Sequence, residues 1–439
     1  MLECVTYLKL GFLCNLANPI TTMPSHLTQI PLIIRFKFLY PVPTLFKENL
    51  VLALQHRDRV YNISIKDWRS EDLGLHKALD NAFPMLETLS LAEVSADRFR
   101  VLPNNFVAPH LRAIHLRNVT IPRGCASLMN AINLSSLRLE GIPDPGNFPP
   151  EYLVESIARM PYLDNISIEF PHSSLRLPDT VMESQTTLIT RIVVPRLSRL
   201  IFTGASAYLD SLLALISTPF LQDLRLTILL TGTPTVVRMS AFLGAIQNFN
   251  IRMAVMSFGP ESIVISYHPE QPSVAPLYVK VAISDCHNDG DRDHLRISMA
   301  QLCSDVAPAI SVVESLALQS EYERPYGYTF VGQSALWNTI LRPFLGVKVI
   351  RATSEFAAEL SDALHPSHGA VVSDLLPALS ELAIASSLRD DQVDEAFAPF
   401  IHARRLAGHS IDVRSTQSSS CPSESHLRPP PISWSFDTF

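Results

Sequence analysis

The segment Phe83-Pro84-Met85-Leu86-Glu87-Thr88-Leu89-Ser90-Leu91 contains the pattern that decides the fold. Its apolar residues follow the spacing Leu86-x-x-Leu89-x-Leu91, and a proline stands two residues ahead of the first leucine. The same apolar spacing recurs at Leu111/Ile114/Leu116, Leu134/Leu137/Leu139, Leu163/Ile166/Ile168, Leu197/Leu200/Phe202 and Leu221/Leu224/Leu226. A pattern repeated in this way predicts a repeat architecture, in which no single unit can bury its apolar face alone.

The prolines make this pattern specific. The chain is 47% hydrophobic, so a loose three-position apolar pattern also occurs by chance. A proline nevertheless precedes five of the six units at the same offset, at Pro84, Pro109, Pro161, Pro195 and Pro219. Proline fixes φ and lacks an N–H, so it suits the approach to a strand. Each unit is therefore predicted to run from helix to proline turn to short strand, with helices including Glu151–Met160 and Ala207–Ser217.

The spacing of the units indicates the fold class. They begin 23 to 34 residues apart, close to the period of roughly 20 to 29 residues of leucine-rich repeats. We expect an α/β fold, an irregular leucine-rich-repeat solenoid with parallel strands on its concave face and helices on its convex face. An ordinary α/β domain with parallel strands is the alternative.

The pattern loosens after residue 230. It returns at Val313/Leu316/Leu318 and Leu379/Leu382/Ile384, and alternation predicts strands at 249–255, 262–267 and 277–283. We expect the solenoid to cover residues 26–414. Residues 1–25 are unassigned, and either an incorrect gene start or a genuine shortened form would explain them. The Ser- and Pro-rich residues 415–439 are expected to be disordered.

Composition excludes several classes of protein. The 439 residues carry a formal net charge of -7 without a dense basic cluster, which argues against nucleic-acid binding. We find no uncharged apolar run of about 18 residues, so a membrane-spanning helix is not expected. The first residues lack the basic start of a secretory signal. Cytoplasm or nucleus is the expected location.

No motif for catalysis, cofactor binding or metal binding is apparent, and we expect no enzyme activity. Gly-rich phosphate loops, Gly-x-Ser-x-Gly and His-Glu-x-x-His are missing from the sequence. In the acidic segment 285–294, Asp285, Asp289 and Gly290 match positions of a calcium loop. His287 and Arg296 stand where acidic ligands are needed, so a solvated surface loop is the preferred interpretation.

Strand side chains alternate, so the residues between the apolar ones are predicted to face solvent on the concave side. Their mixed charge and several arginines favour a partner-binding face, because Arg is enriched at interfaces. The candidate residues are His115, Arg117, Arg138, Glu140, Glu169, Arg199, Asp223 and Arg225. Ordinary solvation of a strand is the alternative interpretation for any one of them.

Several segments resemble the fungal F-box/leucine-rich-repeat proteins over roughly residues 26 to 414. The resemblance rests on His26–Phe36, Leu102-Pro103, the proline-led strands, Leu341-Arg342-Pro343-Phe344, and Phe400–Ile411 with Arg404-Arg405-Leu406. It implies a module in which repeats recruit a protein for ubiquitination while an F-box binds a Skp-type adaptor of a cullin ligase.

The F-box pattern is not found ahead of His26, so adaptor and cullin are expected partners only where an F-box lies upstream. We therefore expect a non-enzymatic protein-binding module for an unknown protein target, without nucleic-acid or membrane partners. A free-standing repeat scaffold or a truncated decoy is the alternative.

Overall fold

The computed structural model describes residues 6–8, 12–14, 31–37, 44–66, 73–93, 100–122, 130–142, 148–171, 191–229, 238–246, 251–259, 262–269, 277–282, 289–320, 334–365, 375–385 and 390–416. The chain divides into two compact units, Met1–Phe249 and Asn250–Phe439. Both combine helices with a sheet, and parallel strand pairs predominate.

The first unit contains the proline-led strands found in the sequence. Its strands are β1 (Thr6–Leu8), β2 (Phe12–Cys14), β3 (Leu32–Lys37), β4 (Val60–Lys66), β5 (Thr88–Ala92), β6 (Arg100–Val101), β7 (Ala113–Arg117), β8 (Val119–Thr120), β9 (Ser136–Glu140), β10 (Asn165–Glu169), β11 (Ile192–Val193), β12 (Arg199–Ala205), β13 (Ile216–Ser217) and β14 (Asp223–Leu229). Its helices are α1 (Thr44–Gln55), α2 (Leu73–Leu79), α3 (Pro150–Ile157), α4 (Ser206–Leu215) and α5 (Met239–Gly244).

The main sheet of this unit is parallel and follows the order β3-β4-β5-β7-β9-β10-β12-β14. The hairpin of β1 and β2 lies antiparallel beside β3. Equivalent apolar residues of the repeat are in register across six strands and are at most 3% exposed: Leu89, Ile114, Leu137, Ile166, Leu200 and Leu224. The repeat therefore builds one continuous apolar layer beneath the sheet, as predicted.

A tight turn precedes each of these strands and explains the prolines. The amide of Leu86 donates to the carbonyl of Phe83, and the corresponding bonds at the other five units are 3.0 to 3.3 Å long. Pro84 occupies the second position of this four-residue turn, where its fixed φ is favourable and no amide hydrogen is needed. The proline is thus a turn residue in five of the six units, and Ile132 takes the same position in the unit of β9.

Helices are less regular than predicted. The predicted helices at 151–160 and 207–217 are confirmed as α3 and α4, with α3 ending at Ile157 and β13 occupying residues 216–217. Among the described residues between β5 and β7, however, the two-residue strand β6 pairs with β8 and no helix occurs. Residues 94–99 of this segment lie outside the described part of the chain, so the expectation of a helix in this unit stays a prediction.

The second unit begins with an antiparallel insertion and then returns to parallel strands. Its strands are β15 (Ile251–Phe258), β16 (Ser262–Pro269), β17 (Leu277–Ala282), β18 (Ser315–Ser320), β19 (Val349–Thr353), β20 (Glu381–Ala385) and β21 (Asp412–Thr416). Its helices are α6 (Asp289–Asp305), α7 (Ala307–Ile310), α8 (Ser334–Leu341), the 3-10 turn Ser354–Phe356, α9 (Ala357–Ala363) and α10 (Asp390–Leu406).

In its sheet, β16 pairs antiparallel with β15 and β17, and parallel pairs connect β15, β18, β19, β20 and β21 in that order. The predicted strands at 249–255, 262–267 and 277–283 are confirmed with shifted ends. The last strand reaches Thr416, two residues into the segment predicted to be disordered. Residues 417–439 lie outside the described part of the chain, as do residues 1–25 apart from β1 and β2.

The predicted surface loop at 285–294 is corrected in its second half, where α6 begins at Asp289. Leu295, Met299, Leu302 and Val306 are buried and share one side of this segment. Spacing of three and four residues between apolar positions favours a helix packed on a core. The helix was not predicted because Asp289, Asp291 and Asp293, which precede these apolar positions, suggested a solvated loop.

Candidate binding face

The eight predicted residues lie on one face of β7, β9, β10, β12 and β14, which we call the polar face. In each strand they alternate with the buried residues of the repeat. Strand register arranges them in rows across the sheet. The middle row is His115, Arg138, Ser167, Ile201 and Arg225, and the row toward the strand ends is Arg117, Glu140, Glu169, Thr203 and Thr227.

Glu140 is the centre of a first ionic cluster. Its carboxylate accepts a hydrogen bond from Arg138, lies 3.4 Å from Nε2 of His115, and is 4.0 Å from Nε of Arg117. Burial alone would raise the pKa of Glu140, but His115 and Arg138 outweigh it and lower this pKa to about 2. Glu140 is therefore a fixed anion that orients the basic side chains around it.

Glu169 lies beside Glu140 in the next strand and behaves in the opposite way. Partial burial raises its pKa, and the negative charge of Glu140 raises it further, against the smaller opposing effects of Arg117 and Arg138. Glu169 is exposed at the end of β10. It is thus an acid on the polar face whose charge is only partly compensated by its neighbours.

A second ionic cluster is centred on Asp223. Nε of Arg199 lies 2.9 Å from one carboxylate oxygen, and Nε of Arg225 lies 3.0 Å from the other. Asp223 is 5% exposed, whereas both arginines reach solvent. Arg138 pairs with Glu140, and Arg199 and Arg225 share the single negative charge of Asp223, so the predicted arginine cluster is paired within the face but only partly neutralised. Arg117, with 62% of its side chain exposed, projects furthest.

Between the two clusters lies a less polar strip formed by Ser167, Ile201 and Thr203. All three residues are half-buried, and they belong to the neighbouring strands β10 and β12. Ile201 is in register with Ser167 and Arg225, so an apolar residue stands where both neighbouring strands carry a polar one. The polar face therefore has an apolar side chain near its middle and charged residues on either side.

Ser90, His115 and Glu140 follow one another in the order of a Ser-His-acid catalytic triad. Oγ of Ser90 lies 3.4 Å from Nδ1 of His115, whose other ring nitrogen faces Glu140. A nucleophile must be reachable by its substrate, and Ser90 is 3% exposed. These contacts therefore orient the imidazole and offer no accessible hydroxyl.

Two residues that support the face were missed in the sequence. Regular leucine-rich repeats carry an asparagine three residues after the last apolar position of the strand pattern. In this chain Val119 and Ile142 occupy that position, and both are buried. Asn118, one residue earlier, instead donates from Nδ2 to the carbonyl of Glu93 at 2.8 Å. Its φ is 54°, and the φ of Gly141 in the next repeat is 63°. Asn and Gly directly after a strand were the available signal, because both tolerate this left-handed conformation.

No protein family model matches the chain, and no curated protein matches it. Among the described residues, His, Cys, Asp and Glu form no group of three or more suited to hold a metal ion. The described helices include none with the length and apolar character needed to cross a membrane.

Proposed function

We propose that this protein is a non-enzymatic binding module built from leucine-rich-repeat-type units, and that a partner protein contacts its polar face. The observation that carries the proposal is the alignment of seven charged residues and His115 on one face of five successive strands. Repeat arrays present such rows as extended binding surfaces. Arginine and aromatic residues are enriched in protein interfaces, and charge complementarity guides association.

The ion pairs of the polar face support binding through preorganisation. Glu140 holds Arg138, and Asp223 holds both Arg199 and Arg225. Side chains that are already fixed lose less rotamer freedom when a partner binds, which reduces the entropic cost of association. Ile201 supplies an apolar contact between charged borders, an arrangement common in interfaces. The same internal pairing favours recognition over proton transfer or nucleophilic attack.

Arg117 and Glu169 offer the sharpest test, because both are exposed and neither anchors a buried partner. A photo-crosslinking amino acid at Ile201 would first identify the partner, whose affinity would then be measured with purified proteins. We expect Arg117→Ala with Glu169→Ala to weaken binding about tenfold. The control Glu314→Ala with Lys348→Ala removes one acid and one base from an exposed pair of the second unit. Equal affinity of both variants would overturn the proposal.

Arg199 and Arg225 are less suitable first targets. Removing them would leave the buried carboxylate of Asp223 without its counter-ions, which destabilises the fold by itself. A loss of binding in such variants would then have two causes. Arg117→Ala and Glu169→Ala avoid this problem, because neither change leaves a buried charge unpaired, and the melting temperature of the double variant should not fall below that of the unmodified chain.

The resemblance to F-box/leucine-rich-repeat proteins suggests the role of this binding. We propose that the partner is a protein recruited for ubiquitination. The test is whether the full gene product binds a purified Skp-type adaptor and promotes ubiquitination of the partner found by crosslinking. Partner binding without adaptor binding would leave a free-standing scaffold or decoy and would reject the receptor role.

A further inference from the structure

Glu169 differs from the other acids of the polar face in having no counter-ion. Glu140 and Asp223 each pair with arginine. The carboxylate of Glu169 is exposed, and it forms no hydrogen bond or ion pair with any residue that the structure describes. Asp164 precedes β10 at the opposite end of the strand and accepts a hydrogen bond from Asn165. Glu169 is therefore an acid of this face that remains open to a partner.

The strands on both sides of Glu169 supply no base to pair with it. On β9, Glu140 is in register with Glu169, and Arg138 donates its hydrogen bond to Glu140. On β12, the residue in register is Thr203, which is neutral. Arg117 lies two strands away on β7, where Glu140 is within 4.0 Å of it. The two glutamates therefore place adjacent negative charges at this point of the face, and an added cation would be attracted to them.

A neutral strip runs along β12 beside this carboxylate. Ile201, Thr203 and Ala205 alternate with buried residues of the strand and are half-buried themselves. Thr203 is the direct neighbour of Glu169, and Ile201 is a diagonal neighbour, about 8 Å away between Cβ atoms. An apolar surface that ends at a carboxylate matches a lysine or arginine side chain, in which a methylene stem precedes the charge.

The folded chain also keeps this charge against its own stability. Partial burial and the neighbouring Glu140 raise the pKa of Glu169, so the free chain disfavours its ionised form. Ionisable groups held in this way concentrate at functional sites. A cation beside Glu169 would remove the penalty, so complex formation favours a basic group at this position.

We infer that Glu169, Ile201 and Thr203 form the subsite for one basic side chain, lysine or arginine, of the partner protein. The stem of that side chain lies on Ile201 and Thr203, and its charged group pairs with the carboxylate of Glu169. An acidic side chain does not fit, because it would face both Glu169 and Glu140. The inference rests on the proposed function and names the chemistry that the partner presents to the polar face.

The experiment uses the full chain and the purified partner identified by crosslinking from Ile201. Calorimetric titration at neutral pH would compare Glu169→Gln and Glu169→Lys with the unmodified chain. We expect the first to weaken binding about fivefold and the second about twentyfold, because a lysine adds repulsion to the lost attraction. The control Glu155→Gln neutralises an exposed acid of α3 and should leave the affinity unchanged. Melting temperatures separate binding from folding, since Glu169→Gln should be at least as stable as the unmodified chain.

A charge swap then tests the pairing directly. Each lysine or arginine of the crosslinked partner segment would be changed to glutamate, and one of these partner variants should bind the Glu169→Lys chain more tightly than the unmodified partner does. Full affinity of Glu169→Gln, tighter binding of Glu169→Lys, or failure of every swap would overturn the inference. If Arg117→Ala with Glu169→Ala still weakened binding in that case, the proposed function would stand without this subsite. Normal affinity of that double variant would reject both.

Discussion

Asn118 and Gly141 occupy equivalent turns of neighbouring repeats, and the side-chain oxygen of Asn118 fills the space that a Cβ at residue 141 would need. Both residues have positive φ, 54° at Asn118 and 63° at Gly141. The amide of Asn118 also donates to the carbonyl of Glu140, the residue just before Gly141, at 2.8 Å. The turns at Asn118 and Gly141 therefore contact each other where the strands β7 and β9 end, and a change in one turn affects the other.

This relationship predicts that Gly141→Ala destabilises the first unit. A Cβ would both strain the left-handed backbone and collide with Asn118, and the expected loss is more than about 1 kcal/mol in the free energy of unfolding. Urea denaturation measures it. Gly244→Ala is the matched control, because a Cβ there meets nothing within 4 Å and φ is not positive. If the two variants proved equally stable, the account of this turn would be wrong.

Arg404 is expected to stabilise the second unit from a buried position. The side chain is fully buried, and its Nη2 donates to the carbonyls of Pro377 and Leu379 in the turn that precedes β20. Arg404→Ala should lower the free energy of unfolding by about 3 kcal/mol, since it removes charged hydrogen bonds and leaves a cavity. Arg405→Ala, exposed on the same helix, should change it by less than about 0.5 kcal/mol. Thermal unfolding of both variants distinguishes a buried anchor from an ordinary surface residue.

Glu140 and Glu169 should give opposite dependence of stability on pH. The pKa of Glu140 is lowered to about 2, so its contribution is present above the ordinary value near 4.5 and is lost as the pH falls toward 2. Glu140→Gln should therefore destabilise the protein at neutral pH and converge with the unmodified chain in acid.

For Glu169 the pKa is raised, so its effect on stability changes with pH in the opposite direction. Folding disfavours its charged form, so the cost appears as the pH rises above the ordinary value near 4.5. Glu169→Gln should raise the melting temperature at neutral pH and have no such effect in acid. Each substitution is the control for the other, and a shift of the same sign for both would contradict the assigned electrostatics.

The thiol of Cys303 should resist alkylation while the protein is folded. It is fully buried in α6, and burial raises its pKa to about 12. Thiolate is the reactive form, so both access and ionisation oppose reaction. Mass spectrometry of the peptide that contains Cys303 should show iodoacetamide modification only after denaturant is added. Rapid modification of the native chain would show that α6 opens or packs differently.

Much of the fold could be predicted because its signals are local. The leucines at 86, 89 and 91 and the proline at 84 fixed the position of β5 and its turn, and alternation put Ser90 and His115 between buried neighbours. The same reasoning failed at Asp289, where acidic residues concealed the start of a helix. It also missed Asn118, although an asparagine directly after a strand was a usable signal for the left-handed conformation.

The sequence by itself determined which residues lie on the polar face, since side-chain direction in a strand follows from a period of two residues. Only the tertiary structure decided that Glu140 pairs with Arg138 and His115 and that Asp223 joins Arg199 to Arg225. The pairs His115–Glu140 and Arg199–Asp223 depend on register between neighbouring strands, whereas Arg138 and Arg225 each pair with an acid two residues away on their own strand. Register is set by how the intervening segments pack, and no local pattern encodes that packing.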